Sequence, residues 1–113
     1  MPLEARDRAR LLDMVTHAED AITLLADGSL DDLRNDLARR HGVVRCIEVI
    51  GEAGHQVSDE VKAEMATIPW HLMWAMRNRL IHDYGNTNYR IVYEVVCDQL
   101  PILIDAIKGY LDR

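Results

Sequence analysis

Apolar positions recur every three to four residues along nearly the whole chain, the mark of amphipathic helices rather than of strands. Leu11, Val15, Ala18, Ile22 and Leu25 predict a first helix over about 3–26. Asp27-Gly28 is expected to end it, because Gly accepts the left-handed conformation that closes many helices. Ser29 caps a second helix, with Asp31 and Asp32 in its first turn, where negative charge complements the helix dipole. That helix carries Leu30, Leu33, Leu37, Val44, Ile47 and Ile50 and weakens at Gly51 and Gly54, while Gly42 inside it marks a close helix contact. Ser58 opens a short helix to about 65. Pro69 suits the first position of a helix over 69–84, which Gly85 ends. Thr87 or Asn88 caps a last helix to about 111, and Pro101 should kink it or start a new segment. The fold class expected is all-α: an antiparallel up-down four-helix bundle with one short extra helix.

Length and composition narrow the setting. The chain has 113 residues, enough for one domain over 1–113 and too few for two. No apolar run approaches a membrane span, and the opening "MPLEARDRAR" lacks a signal-peptide core, so a cytoplasmic protein without membrane contact is expected. Cys46 and Cys97 lie far apart and read as inert core thiols. The net charge of −6 argues against a general nucleic-acid coat. Yet only Lys62 and Lys108 of the 13 bases are Lys, and Arg suits bidentate contacts to phosphate or carboxylate. Any nucleic acid is therefore expected at a focused site.

The informative segment is "IPWHLMWAMRNRLIHDYGNTNY", 68–89. On a wheel of about 100° per residue, Trp70, Met73, Trp74, Leu80, Ile81 and Tyr84 fall within about 60° of Arg77. A guanidinium thus emerges from the middle of an apolar stripe and requires a carboxylate, a hydrogen-bond cluster or an interface. Glu48 or Glu52 on the second helix could supply the carboxylate. Asn78 and His82 stack on a neighbouring face, and His82 lies roughly 140° round from Arg77. One helix does not aim the two at one point, but a two-fold dimer using this helix could bring them together. Such a set suits phosphoryl transfer without a metal, with His moving a proton and Arg meeting developing phosphate charge. A structural ion pair and a partly buried polar His account for the same residues.

"RNRLIHDY" has the R-x4-H-x-Y form of the HEPN superfamily, and the chain resembles the HepT-like toxins within it. "IEVIGEAGHQVSDE" at 47–60, "IPW" at 68–70 and "LPILIDAI" near the end agree, so the resemblance spans almost the whole chain. It implies a helical homodimer with the motif at its interface and metal-independent endoribonuclease activity, with no cofactor. By that resemblance Arg77, Asn78 and His82 are the catalytic residues, and RNA is left with a 2′,3′-cyclic phosphate and a 5′-hydroxyl. The resemblance also implies a type VII toxin–antitoxin pair, in which an MntA-type nucleotidyltransferase transfers AMP to Tyr84. The added bulk and negative charge would repel RNA phosphate. A non-catalytic HEPN subunit that binds nucleotide or presents substrate to such a transferase is the alternative.

Other features carry less. Glu52-x-x-His55 has the spacing of a di-iron helix pair, but no second copy exists, so no metal is expected. Glu52 reads better as a partner of Arg77, and His55 as a group favoured by the helix C-terminal dipole. Arg34, His41 and Arg45 share a face of the second helix, either solvated or as an RNA-backbone track. Trp70 and Trp74 read as core or dimer packing rather than as a base-stacking platform. Tyr89 and Tyr93 are the fallback acceptors for modification.

Overall fold

Side-chain caps begin the helices that the sequence marks most clearly. The computed structural model describes residues 3–113, with α1 at Ala5–Leu25, α2 at Leu30–Asn35, α3 at Leu37–His55 and α4 at Asp59–Glu64. It continues through α5 at Trp70–His82, a 3-10 turn at Tyr84–Asn86, α6 at Tyr89–Glu94, a π turn at Val95–Gln99 and α7 at Leu100–Leu111. Ser29 and Asp32 form a reciprocal capping box at the start of α2. Ser58 caps α4, and Asn88 rather than Thr87 caps α6, accepting from the N–H groups of Arg90 and Ile91. Among the described residues the only regular structure is helical, as the periodicity requires.

Packing is centred on α1 and α3, which lie against each other; α5 packs on α3, and α7 on α1. Leu11, Met14, Ala18, Leu33, Val43 and Ile107 have no exposed surface. Each large aliphatic side chain so placed contributes about 1.5–3 kcal/mol. Among the described residues the one buried charged group is Asp7 on α1, whose two carboxylate oxygens accept from the backbone N–H and the hydroxyl of Ser58, at 2.8 and 2.7 Å. Ser58 thereby caps α4 and ties its start to α1. Between α5 and α7 runs an apolar groove of about 380 Å³, floored by Ile47 and Ile50 and rimmed by Leu72, Met76 and Ile102.

Five local expectations are corrected. The residue with positive φ after α1 is Ala26, at 52°, not Gly28. Gly28 serves by its size instead, since a Cβ there would stand 2.9 Å from the Leu25 carbonyl oxygen. The second helix is two helices: Asp36 is extended and its side chain accepts from the Arg39 N–H, so it ends α2 and caps α3. The motif helix begins at Trp70 with Pro69 as its cap and stops at His82, because Asp83 turns away and its carbonyl accepts the Asn86 N–H in a 3-10 turn. Tyr84 therefore leaves the apolar stripe and is 80% exposed. Cys97 is exposed, unlike the buried Cys46, because it lies about 100° round the helix from the face that buries Val92, Val96, Leu100, Leu103 and Ile107; a π turn precedes Pro101, closed by the Leu100 N–H on the Val95 carbonyl. Pro101 has no N–H to donate and its ring clashes with the carbonyl four residues back, which the wider turn accommodates.

Candidate active site

A close approach of two helices sets the reach of Arg77. A Cβ on Gly51 of α3 would stand 2.6 Å from the Arg77 Cβ and 2.8 Å from the Met73 carbonyl oxygen, so only glycine permits this crossing. Gly54, one turn on, gives room to the methyl end of Met73 in the same way. The guanidinium then lies across α3. One terminal nitrogen donates to Asn78 Oδ1 at 2.8 Å, and the other pairs with Glu52 Oε2 at 3.4 Å. Of the two carboxylates expected for this role, Glu52 takes it and Glu48 pairs with Arg45 instead, at 3.4 Å. Gln56 braces Glu52 with a 3.0 Å bond to its other oxygen. The Arg77 Nε is buried and has no partner.

Arg77, Glu52 and Gln56 line a groove of about 270 Å³ between α1, α3 and α5. Arg10, Arg45 and Arg77 face it, with Asp13, Glu48 and Glu52 interleaved. Each arginine is held by one carboxylate through a single contact of 3.1 to 3.4 Å. Each contact is single and opens on the groove, so an incoming anion can compete with the carboxylate for its arginine. Arg10 and Asp13, on α1, were not marked as site residues by the motif helix; their spacing of three on one helix face is the only sequence signal they carry.

His82 is the last residue of α5 and is exposed, as Tyr84 is on the turn beyond it. Within one chain neither meets Arg77, whose hydrogen bond goes to Asn78 and whose ion pair goes to Glu52. Arg34 and Arg45 do not share a helix face, because the break at Asp36 puts them on different helices. Arg34 sits on α2 beside Asp31, away from the groove, and His41 is exposed on α3. His55 stacks on Trp74, with ring centroids 3.7 Å apart and planes inclined by 9°, a contact that the dipole reading of His55 and the packing reading of Trp74 both missed. The Arg77 guanidinium carbon lies 4.9 Å from the centre of the same indole. Trp70, by contrast, donates to the Met65 carbonyl and packs on the core.

Of the remaining candidates, burial raises the thiol pKa of Cys46. The side-chain bond to Cys97 raises that of the Tyr93 phenol. Among the described residues no three His, Cys, Asp or Glu side chains converge as metal ligands, and no helix is long and apolar enough to cross a membrane.

Fold and groove define a small protein, helical over its described residues, with an arginine-lined cleft and with an imidazole and a phenol exposed at the end of α5 and on the turn beyond it. The family described as Ribonuclease HepT-like matches residues 14–109, and the chain belongs to this family, within the HEPN superfamily. "Putative RNase MJ0127" of Methanocaldococcus jannaschii is 32% identical, over 89% of this chain and 84% of its own length. "Putative RNase TTE0752" of Caldanaerobacter subterraneus is 33% identical over 75% of this chain and 76% of its own. "Probable ribonuclease HepT" of Thermococcus cleftensis is 30% identical over 89% and 92%. No solved structure matches the chain.

Proposed function

We propose that this chain is a metal-independent endoribonuclease, the toxin of a type VII toxin–antitoxin pair, acting as a homodimer. The observation that carries the reading is Arg77, held by Asn78 and Glu52 at the wall of an open groove in a chain of the HepT-like family. In the reaction, His82 removes the proton from a ribose 2′-hydroxyl, and that oxygen attacks the adjacent phosphorus. The bond from phosphorus to the 5′-oxygen breaks, and the leaving oxygen takes a proton from the second His82 of the dimer. The products are a 2′,3′-cyclic phosphate and a 5′-hydroxyl. Arg77 meets the negative charge that grows on the non-bridging oxygens, and Asn78 holds the guanidinium in place.

The dimer supplies what one chain lacks. His82 stands on another side of α5 from Arg77, so a complete set requires two motif helices side by side. Leu72 and Ile102, 69% and 66% exposed, rim the apolar groove on the flank of α5, and a second copy seated there lies along the motif helix. Control by an MntA-type nucleotidyltransferase antitoxin is supported by Tyr84. Its phenol is exposed on a turn next to His82, where an attached AMP places bulk and negative charge at the end of the site.

The experiment is RNA cleavage by wild-type, Arg77→Ala and His82→Ala protein freed of antitoxin, with intact mass after incubation with the neighbouring transferase and ATP. Cleavage is expected from the wild type alone, and a gain of one or more AMP masses that Tyr84→Phe abolishes. Intact RNA with wild-type protein would leave the non-catalytic HEPN subunit as the surviving reading.

A further inference from the structure

We infer that His55 and Trp74 form a stacking platform for one unpaired nucleobase of the RNA, beside the phosphate held at Arg77. The inference rests on the nuclease reading above and names the form of its substrate. Trp74 is the odd aromatic of α5. Trp70, Met73 and Met76 pack against the buried core, and Trp74 does not. Its indole, half-buried, is covered by an imidazole that is itself exposed to solvent. A centroid separation of 3.7 Å with planes 9° apart is van der Waals stacking of two flat heterocycles, the arrangement in which aromatic side chains hold bases of single strands.

Position adds the second half of the argument. The Arg77 guanidinium lies over the same indole at 4.9 Å, so a ring stacked here is next to a cation suited to phosphate. A nucleotide places a flat base beside a phosphate in the same way. The exposed imidazole extends the stack beneath an incoming base, so that one base is held on an aromatic face backed by Trp74. A base inside a duplex already has neighbours on both faces and offers none, so the platform selects unpaired RNA. Stacking does not read base edges, and little preference among the four bases is expected.

Trp74 can report directly. The Trp70→Phe, His82→Ala double variant has Trp74 as its single tryptophan and leaves bound RNA intact. Its fluorescence is followed during titration with single-stranded oligoadenylate, an abasic strand of equal length, an RNA duplex, and AMP. Saturable quenching is expected from oligoadenylate, with weaker binding by the abasic strand and the duplex, and by AMP, which lacks the neighbouring phosphates. Adding His55→Ala should weaken oligoadenylate binding about 5- to 150-fold, the worth of one stacked base, and His55→Tyr should restore it.

Equal affinity for the base-bearing and abasic strands overturns the platform, as do equal effects of His55→Ala and His55→Tyr. AMP binding as tightly as the strand also overturns it, since the site would then be a mononucleotide pocket. Quenching as expected, with wild-type protein that cleaves no RNA, upholds the platform and sinks the nuclease reading instead. Wild-type cleavage with unchanged KM in His55→Ala sinks the platform alone.

Discussion

Gly51 and Arg77 face each other where α3 and α5 cross, so closely that a methyl group on the glycine would stand 2.6 Å from the arginine Cβ. The root of the guanidinium is therefore set by backbone contact, and its tip by Asn78 and Glu52. Gly51→Ala should push α5 outward and spoil both contacts. Overpacking of this kind costs about 1–3 kcal/mol, against a helix-propensity gain of up to about 1 kcal/mol. Net destabilisation in urea titration and a lower kcat are expected together. Gly109→Ala on α7, where an added Cβ meets nothing within 4 Å, should instead stabilise by up to about 1 kcal/mol with cleavage unchanged.

Arg45 and Arg34 separate on either side of the Asp36 break, and only Arg45 lines the groove. Arg45→Ala should weaken RNA binding and lower the slope of log affinity against log salt by about 0.7, one phosphate contact on a single strand. Arg34→Ala should leave affinity and slope unchanged. Binding of a short RNA across a salt series checks both, and equal effects of the two variants would remove the groove from the RNA path.

Leu72→Asp places a charge on the rim of the apolar groove, at a side chain that one chain leaves 69% exposed. Folding of the single chain should be little affected. Sedimentation should shift from dimer to monomer and cleavage should fall with it, whereas a dimer that persists would move the interface to another face.

Asp7 is the fastening between α1 and α4. Asp7→Ala leaves the Ser58 backbone N–H and hydroxyl without their acceptor in a largely enclosed place, a loss of about 1–3 kcal/mol. Urea titration should show that loss, and the activity of the folded fraction should be unchanged, since neither group reaches the groove.

What could be read ahead of the coordinates was local. Ser29, Ser58 and Asn88 announce helix starts because each side chain satisfies a backbone N–H two or three residues on, an interaction contained in the sequence itself. Asp36 does the same, but it falls between Leu33 and Leu37, whose spacing continues a helical pattern across the break and hides it. The exposure of Cys97 is hidden by its apolar neighbours Val95 and Val96, although the face set by Val92, Val96, Leu100 and Leu103 leaves it about 100° to one side. Arg77 stood out because an ion among apolar neighbours is visible in one dimension, and its pairing with Glu52 needed only two helices to be adjacent. The His55–Trp74 stack and the Asp7–Ser58 link join residues far apart in the chain. Their partners are chosen by the crossing of α3 with α5 and by the entry to α4, which depend on how the helices assemble.

The phenol of Tyr84 projects from a turn outside the helix, beside a glycine with open space on every side. Chemistry carried out on that oxygen does not register as strain in the hydrophobic interior, which never touches it. A covalent tag could be written there onto the finished fold without melting any of it, and only what approaches that turn would sense the difference.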